Sequence, residues 1–143
     1  MKIRTFLLMF LFGLIGQSCA VNSATDAEVK GDNSPFLYDL TTTDVGTLKI
    51  AGVSLYFGDR TVDVGGFYPK MSRTMGFFKT NVPYPTKIAY FPYGATSDSE
   101  VIYITDIKVE GELHRSDPHQ TLTVEIDPDN HRAVCKVGRR EGS

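Results

Sequence analysis

From Pro35 onward, apolar and polar residues alternate with a period close to two, and turn-forming residues interrupt the alternation at short intervals. Successive side chains of a pleated strand point to opposite faces, so each such segment has one face to bury and needs a second sheet to bury it against. The pattern predicts an all-β fold, a single antiparallel β-sandwich or open barrel. Candidate strands are residues 36–40, 47–57, 60–64, 75–79, 87–92, 100–113, 121–126 and 131–137. The last two form the clearest pair. Leu122, Val124 and Ile126 point one way, Thr121, Thr123 and Glu125 the other, and Asp127-Pro128-Asp129-Asn130 supplies turn chemistry for an antiparallel return. Segment 100–113 is long for one strand; a bend near Thr105-Asp106 lets it serve two parts of a sheet. No stretch keeps helical spacing over about eleven residues. A short helix between Gly66 and Arg73 is the one helical alternative.

The N-terminus carries the parts of a secretory signal. Lys2 and Arg4 precede an uninterrupted apolar run, Phe6 to Ile15, and small residues follow at Gly16-Gln17-Ser18-Cys19-Ala20. The run is about half the ~20 residues that a membrane-spanning helix needs. Residues 1–18 are therefore read as a signal peptide, 19–35 as a flexible tether rich in Ala, Ser, Asn, Asp and Gly, and 36–143 as the folded domain. Two processing routes are open. Cys19 is the lipidation site if the region acts as a lipobox, which it resembles except that Gly16 stands where the pattern has Leu, Val or Ile. Alternatively the chain is cut after Ala20. The first route implies a lipoprotein on the periplasmic face of the outer membrane, attached to the membrane through its N-terminal lipid. The second implies a periplasmic or secreted protein.

The chain has two cysteines, and loss or acylation of Cys19 leaves Cys135 without a disulfide partner. Within Ala133-Val134-Cys135-Lys136-Val137 it reads as a small buried apolar residue. Formal net charge is −2, and removing Lys2 and Arg4 with the signal leaves about −4. Basic residues do not cluster apart from Arg139-Arg140, which argues against nucleic acid as a partner, because phosphate neutralisation needs grouped Lys and Arg.

Aromatic residues and prolines concentrate in the middle of the chain. Phe67, Tyr68, Phe77, Phe78, Tyr84, Tyr90, Phe91 and Tyr93 lie within one stretch, with Pro69, Pro83, Pro85 and Pro92 among them. Phe57, Phe77, Phe78 and Tyr90 are assigned to the core of a domain that has no tryptophan. Tyr68, Tyr84 and Tyr93 stand beside prolines or glycines in expected loops and are the candidate partner-binding residues, since tyrosine offers a large contact area at low entropic cost.

Reactive chemistry finds little support. His114 and His119 flank a loop with Asp117, whereas His131 begins the far end of the following hairpin, so the three do not converge on a metal. Asp127-Pro128-Asp129-Asn130 lacks the glycine and distal glutamate of an EF-hand. There is no Gly-x-Ser-x-Gly elbow and no phosphate-cradling glycine motif. The expectation is a non-enzyme with no catalytic residue, no metal and no cofactor; an enzyme or metal protein built on His114, Asp117 and His119 is the dissenting reading.

Pro69, Phe77, Phe78, Lys79, Pro83, Pro85, Lys87 and Tyr90 carry a resemblance, over about a fifth of the chain, to small bacterial envelope lipoproteins of the type VI secretion immunity kind. The resemblance implies a protein that binds a toxic effector, such as a lipase, and blocks its active site. The alternative is a structural or assembly lipoprotein of an envelope machine.

Overall fold

A computed structural model describes residues 32–142. The expected signal, Cys19 and most of the tether lie outside these residues. The described chain folds as a β-sandwich of two sheets. Sheet A contains β1 (Phe36–Asp44), β4 (Ser72–Thr80), β7 (Ile107–Glu110), β8 (Gln120–Asp127) and β9 (Arg132–Arg139), in the order β4-β1-β8-β9-β7. Sheet B contains β2 (Ile50–Phe57), β3 (Arg60–Phe67), β5 (Lys87–Pro92) and β6 (Ile102–Ile104), in the order β3-β2-β5-β6.

The alternation read from the sequence is the alternation of burial. Along β1, Phe36, Tyr38, Leu40, Thr42 and Asp44 are buried, and the residues between them are partly exposed. Along β8, Gln120, Leu122, Val124 and Ile126 are buried in the same way. Facing them from sheet B are Ile50, Val53, Leu55, Phe57, Val62, Val64, Phe67, Ile88, Tyr90 and Ile104. Phe78 meets Tyr38 and Phe57 at ring-centroid distances of 5.5 and 4.9 Å, so three aromatic rings bridge the two sheets at one end of the core. Among the described residues no helix is long and apolar enough to cross a membrane.

Local chemistry sets the connections. β2 returns into β3 through a two-residue loop in which Gly58 takes φ 61°, the left-handed conformation that glycine adopts without strain. Between β8 and β9, the Asp127 carboxylate accepts the N–H groups of Asp129 and Asn130, which winds the turn expected there. Segment 100–113 is interrupted at Thr105-Asp106 as expected, but its halves join different sheets rather than two parts of one: β6 pairs with β5 in sheet B and β7 with β9 in sheet A. No helix forms between Gly66 and Arg73. The segment is the end of β3, a tight turn in which Met71 N–H donates to the Tyr68 carbonyl, and the start of β4. The only helical element among the described residues is a 3-10 turn at Asp98–Glu100.

Two pairings depart from an all-antiparallel arrangement. β1 lies parallel to β8, and β7 parallel to β9. Both follow from strands distant in sequence that meet in one sheet, where no hairpin fixes their relative direction.

On the open side of the sandwich, edge strands β3 and β4 are clasped by two arginines. Arg60 of β3 donates to the Lys79 carbonyl of β4 at 2.7 Å while its guanidinium lies 4.3 Å from the Phe78 ring. Arg73 of β4 reaches back to the Val64 carbonyl of β3 at 3.4 Å and lies over Phe67.

Candidate partner-binding face

The outward residues of sheet B form a surface unlike the rest of the molecule. Tyr56 and Lys87 are cross-strand neighbours, as are Ala89 and Tyr103 on the next pair. Because Tyr56 alternates with buried Leu55 and Phe57, and Tyr103 with Ile102 and Ile104, both tyrosines point outward. The Lys87 ammonium sits 4.2 Å from the Tyr56 ring centroid and 5.2 Å from that of Tyr103.

The other end of the same face repeats this arrangement. Tyr93 N–H donates to the Lys49 carbonyl, and Ile50 pairs with both Phe67 and Pro92. Lys49, Tyr68 and Tyr93 thus come together one step beyond the ladder. The Lys49 ammonium lies 3.7 Å from the Tyr93 centroid and 4.4 Å from that of Tyr68. Contacts of this kind contribute about 0.5–1 kcal/mol at exposed sites. Tyr68 is 62 % exposed and Tyr93 66 %, so the pair remains open to a partner. A depression of about 280 Å³ beside them is lined by Lys49, Ala51, Phe67 and Arg73. Between the two lysines the side chains are Ser54, Ala89, which is buried, and the Phe91 ring, which covers the open side of Gly52. Asp63 of β3 accepts the Ser54 hydroxyl at 2.5 Å.

Of the tyrosines expected to bind a partner, Tyr68 and Tyr93 are brought together and Tyr84 is apart from them. Tyr84 is half-buried against the core, and its hydroxyl accepts the Leu113 N–H at 2.9 Å. Phe77, expected in the core, is 59 % exposed. Phe77 and Phe78 are consecutive on β4, so only one can face inward, and Phe78 is that one. The sequence reading missed Tyr56, Tyr103, Lys49 and Lys87. The Ile102-Tyr103-Ile104 alternation already marked Tyr103 as outward, whereas the lysines gain meaning only from cross-strand register.

A wider, open cleft of about 680 Å³ lies between the β2–β3 turn and the end of β4, lined by Asp59, Arg60, Phe77, Lys79 and Asn81. Its guanidinium is committed to Phe78 and the Lys79 carbonyl, as described above.

The histidines are dispersed. His114 and His119 are exposed, and His131 Nδ1 lies 2.6 Å from the Tyr90 hydroxyl against a stacked ring. No group of three or more His, Cys, Asp or Glu converges on a metal position among the described residues. Cys135 is buried, and burial pushes its thiol up to about 12.

No protein-family model matches the sequence, and no curated protein matches it. Among solved structures, the chain is similar to one described as the NMR structure of a protein from Eubacterium rectale, at 11 % identity and a TM-score of 0.36, over 81 % of this chain and 99 % of that one.

Proposed function

We propose that this protein is a non-catalytic binding protein of the bacterial envelope, and that it acts as an immunity lipoprotein which binds and blocks a secreted toxic effector. The observation that carries the reading is the outer face of sheet B. Four of the seven tyrosines, Tyr56, Tyr68, Tyr93 and Tyr103, gather there around two lysines. Tyrosine is over-represented among the residues that dominate protein–protein binding, because it presents a large, rigid, amphipathic surface. The envelope location rests on the N-terminal signal pattern and on Cys19 as the lipid-bearing residue. The effector role rests on the resemblance carried by residues 65–93.

The test is affinity capture from the native organism with the tagged protein, read by mass spectrometry. One dominant partner with a hydrolase sequence, captured in near-equal amount and lost on the double change Tyr68→Ala and Tyr93→Ala, is the expected result. Capture of envelope-machine subunits instead would replace the immunity reading with that of a structural lipoprotein. Capture unaffected by the double change would remove the sheet B face as the binding surface.

A further inference from the structure

The charges of this domain are divided between its two sheets. All five ion pairs among the described residues lie on sheet A and its adjoining loops: Lys108–Glu110, Arg132–Asp127, Lys136–Glu125, Arg139–Asp117 and Arg140–Asp39. These pairs occupy the part of sheet A built from β1, β7, β8 and β9, whereas Arg73 and Lys79 on its edge strand β4 take part in none of them. On sheet B, Lys49 and Lys87 have no carboxylate at ion-pair distance among the described residues, although the chain as a whole has 17 acidic residues against 15 basic. Each is held over two tyrosine rings instead. Asp63, which shares the face, is engaged by Ser54.

This arrangement discriminates between kinds of ligand. A sugar would stack on open ring faces, but on this sheet an ammonium occupies a face of each of the four tyrosines. A nucleic acid or an anionic membrane would need a continuous run of cations. Here the two lysines stand far apart, since Lys87 opens β5 and Lys49 is bonded to Tyr93 beyond its end. Six residues at about 3.3 Å each place them roughly 20 Å apart. The ring clusters hold each ammonium in place and reduce the side-chain ordering that binding would otherwise require.

Resting on the reading of this face as a partner-binding surface, we infer that its partner is a protein segment with carboxylates at two places about 20 Å apart, one docking at Lys49 between Tyr68 and Tyr93 and the other at Lys87 between Tyr56 and Tyr103. Between them the accessible surface is the partly exposed Ser54 and the Phe91 ring lying over Gly52, with Ala89 buried at the middle, a span that an extended chain of about six residues covers.

The test uses the full-length protein in detergent and a synthetic extended peptide with an Asp-Glu pair at each end of a five-residue neutral spacer, which sets the inner carboxylates six residues or about 20 Å apart on one face, beside the same peptide carrying Asn-Gln pairs. Backbone amide NMR shifts report the site. The acidic peptide should shift Lys49, Tyr68, Lys87, Tyr93 and Tyr103, bind at least about tenfold more tightly than the Asn-Gln peptide, and weaken about tenfold for each of Lys49→Ala and Lys87→Ala. Both lysines are partly exposed, so a circular dichroism spectrum identical to that of the unaltered protein confirms that the variants fold. Equal binding of the two peptides, absence of binding, or shifts outside sheet B would each overturn the inference. So would dextran sulfate shifting the same residues with equal affinity, since that marks a general anion site. Partner capture from the organism that survives Lys49→Ala and Lys87→Ala but is lost with the Tyr68 and Tyr93 changes would remove the acidic-segment inference and leave the binding-protein reading intact.

Discussion

Gln120 offers a sharp test of how this fold is held. It opens β8, is 2 % exposed, and works as a hub for the loop that follows β7. Its Oε1 accepts the His114 N–H at 2.5 Å. Its Nε2 faces the carbonyls of His114 at 2.7 Å, Asp117 at 2.8 Å and Leu37 at 3.2 Å. An amide nitrogen has two hydrogens, so the long Leu37 contact shares one with a neighbour, and three hydrogen bonds are a fair count. At about 1 kcal/mol each, Gln120→Ala should destabilise the domain by about 3 kcal/mol. For a domain of this size that is a fall of roughly 12 °C in Tm. Because the chain has no tryptophan, the transition is best followed by circular dichroism or tyrosine fluorescence. Gln120→Glu adds a pH signature. A glutamate would face three carbonyl oxygens with no hydrogen to offer once ionised, so its folded-state pKa lies above the unfolded value of about 4.3. The folded state then holds the proton more tightly, and stability falls as pH rises from that value towards neutrality. The variant should come closer to the unaltered protein at pH 4 than at pH 8. A loss below about 1 kcal/mol for Gln120→Ala, or a flat pH dependence for Gln120→Glu, would refute the hub.

Three further outcomes follow from the interior. Cys135, with its thiol pushed up to about 12 by burial, should stay unmodified by iodoacetamide at pH 8 in the native protein and react in urea, as peptide mass mapping reads out. Tyr84→Phe removes the acceptor for the Leu113 N–H and should cost about 1 kcal/mol in urea unfolding, and Tyr68→Ala and Tyr93→Ala, at exposed sites, should each lose no more than about 0.5–1 kcal/mol, the contribution of the Lys49 contact. Asp44 is buried with its Oδ2 unpartnered, and burial raises its pKa, so the unaltered protein loses stability as pH climbs above the unfolded value of about 3.9. Asp44→Asn keeps an oxygen for the Gly46 N–H and should therefore be more stable than the unaltered protein at pH 7, with the difference shrinking at pH 3, measured by chemical denaturation at both values.

Legibility in the sequence followed the range of the interaction. Alternation is local, so strand positions, the β8–β9 hairpin and the bend of the 100–113 segment at Thr105-Asp106 were readable, whereas the passage of its two halves into different sheets was not. The parallel pairing of β1 with β8 was not, because it joins strands about eighty residues apart and no turn residue encodes it. Phe77 and Phe78 illustrate the limit of composition: both are large and apolar, and the pleat admits one. Tyr68 and Tyr93 were found through their loop context, but Lys49 and Lys87 were not, since a lysine between tyrosines is a product of register across strands β2, β3, β5 and β6. Gln120 sat unnoticed at a strand start because its partners, His114, Asp117 and Leu37, converge only once the loop has closed.

The position of β1 inside sheet A has a mechanical consequence. The chain enters the domain through β1, which is flanked by β4 on one side and β8 on the other rather than hanging at an edge. A pull along the chain from before Phe36, resisted by a partner held on sheet B, would load both ladders in shear, so that their hydrogen bonds share the force rather than opening one after another. The Arg140–Asp39 ion pair ties the chain after β9 to the same strand and adds a cross-link near the point of entry. A tether attached there would pull on a strand hydrogen-bonded along both of its edges.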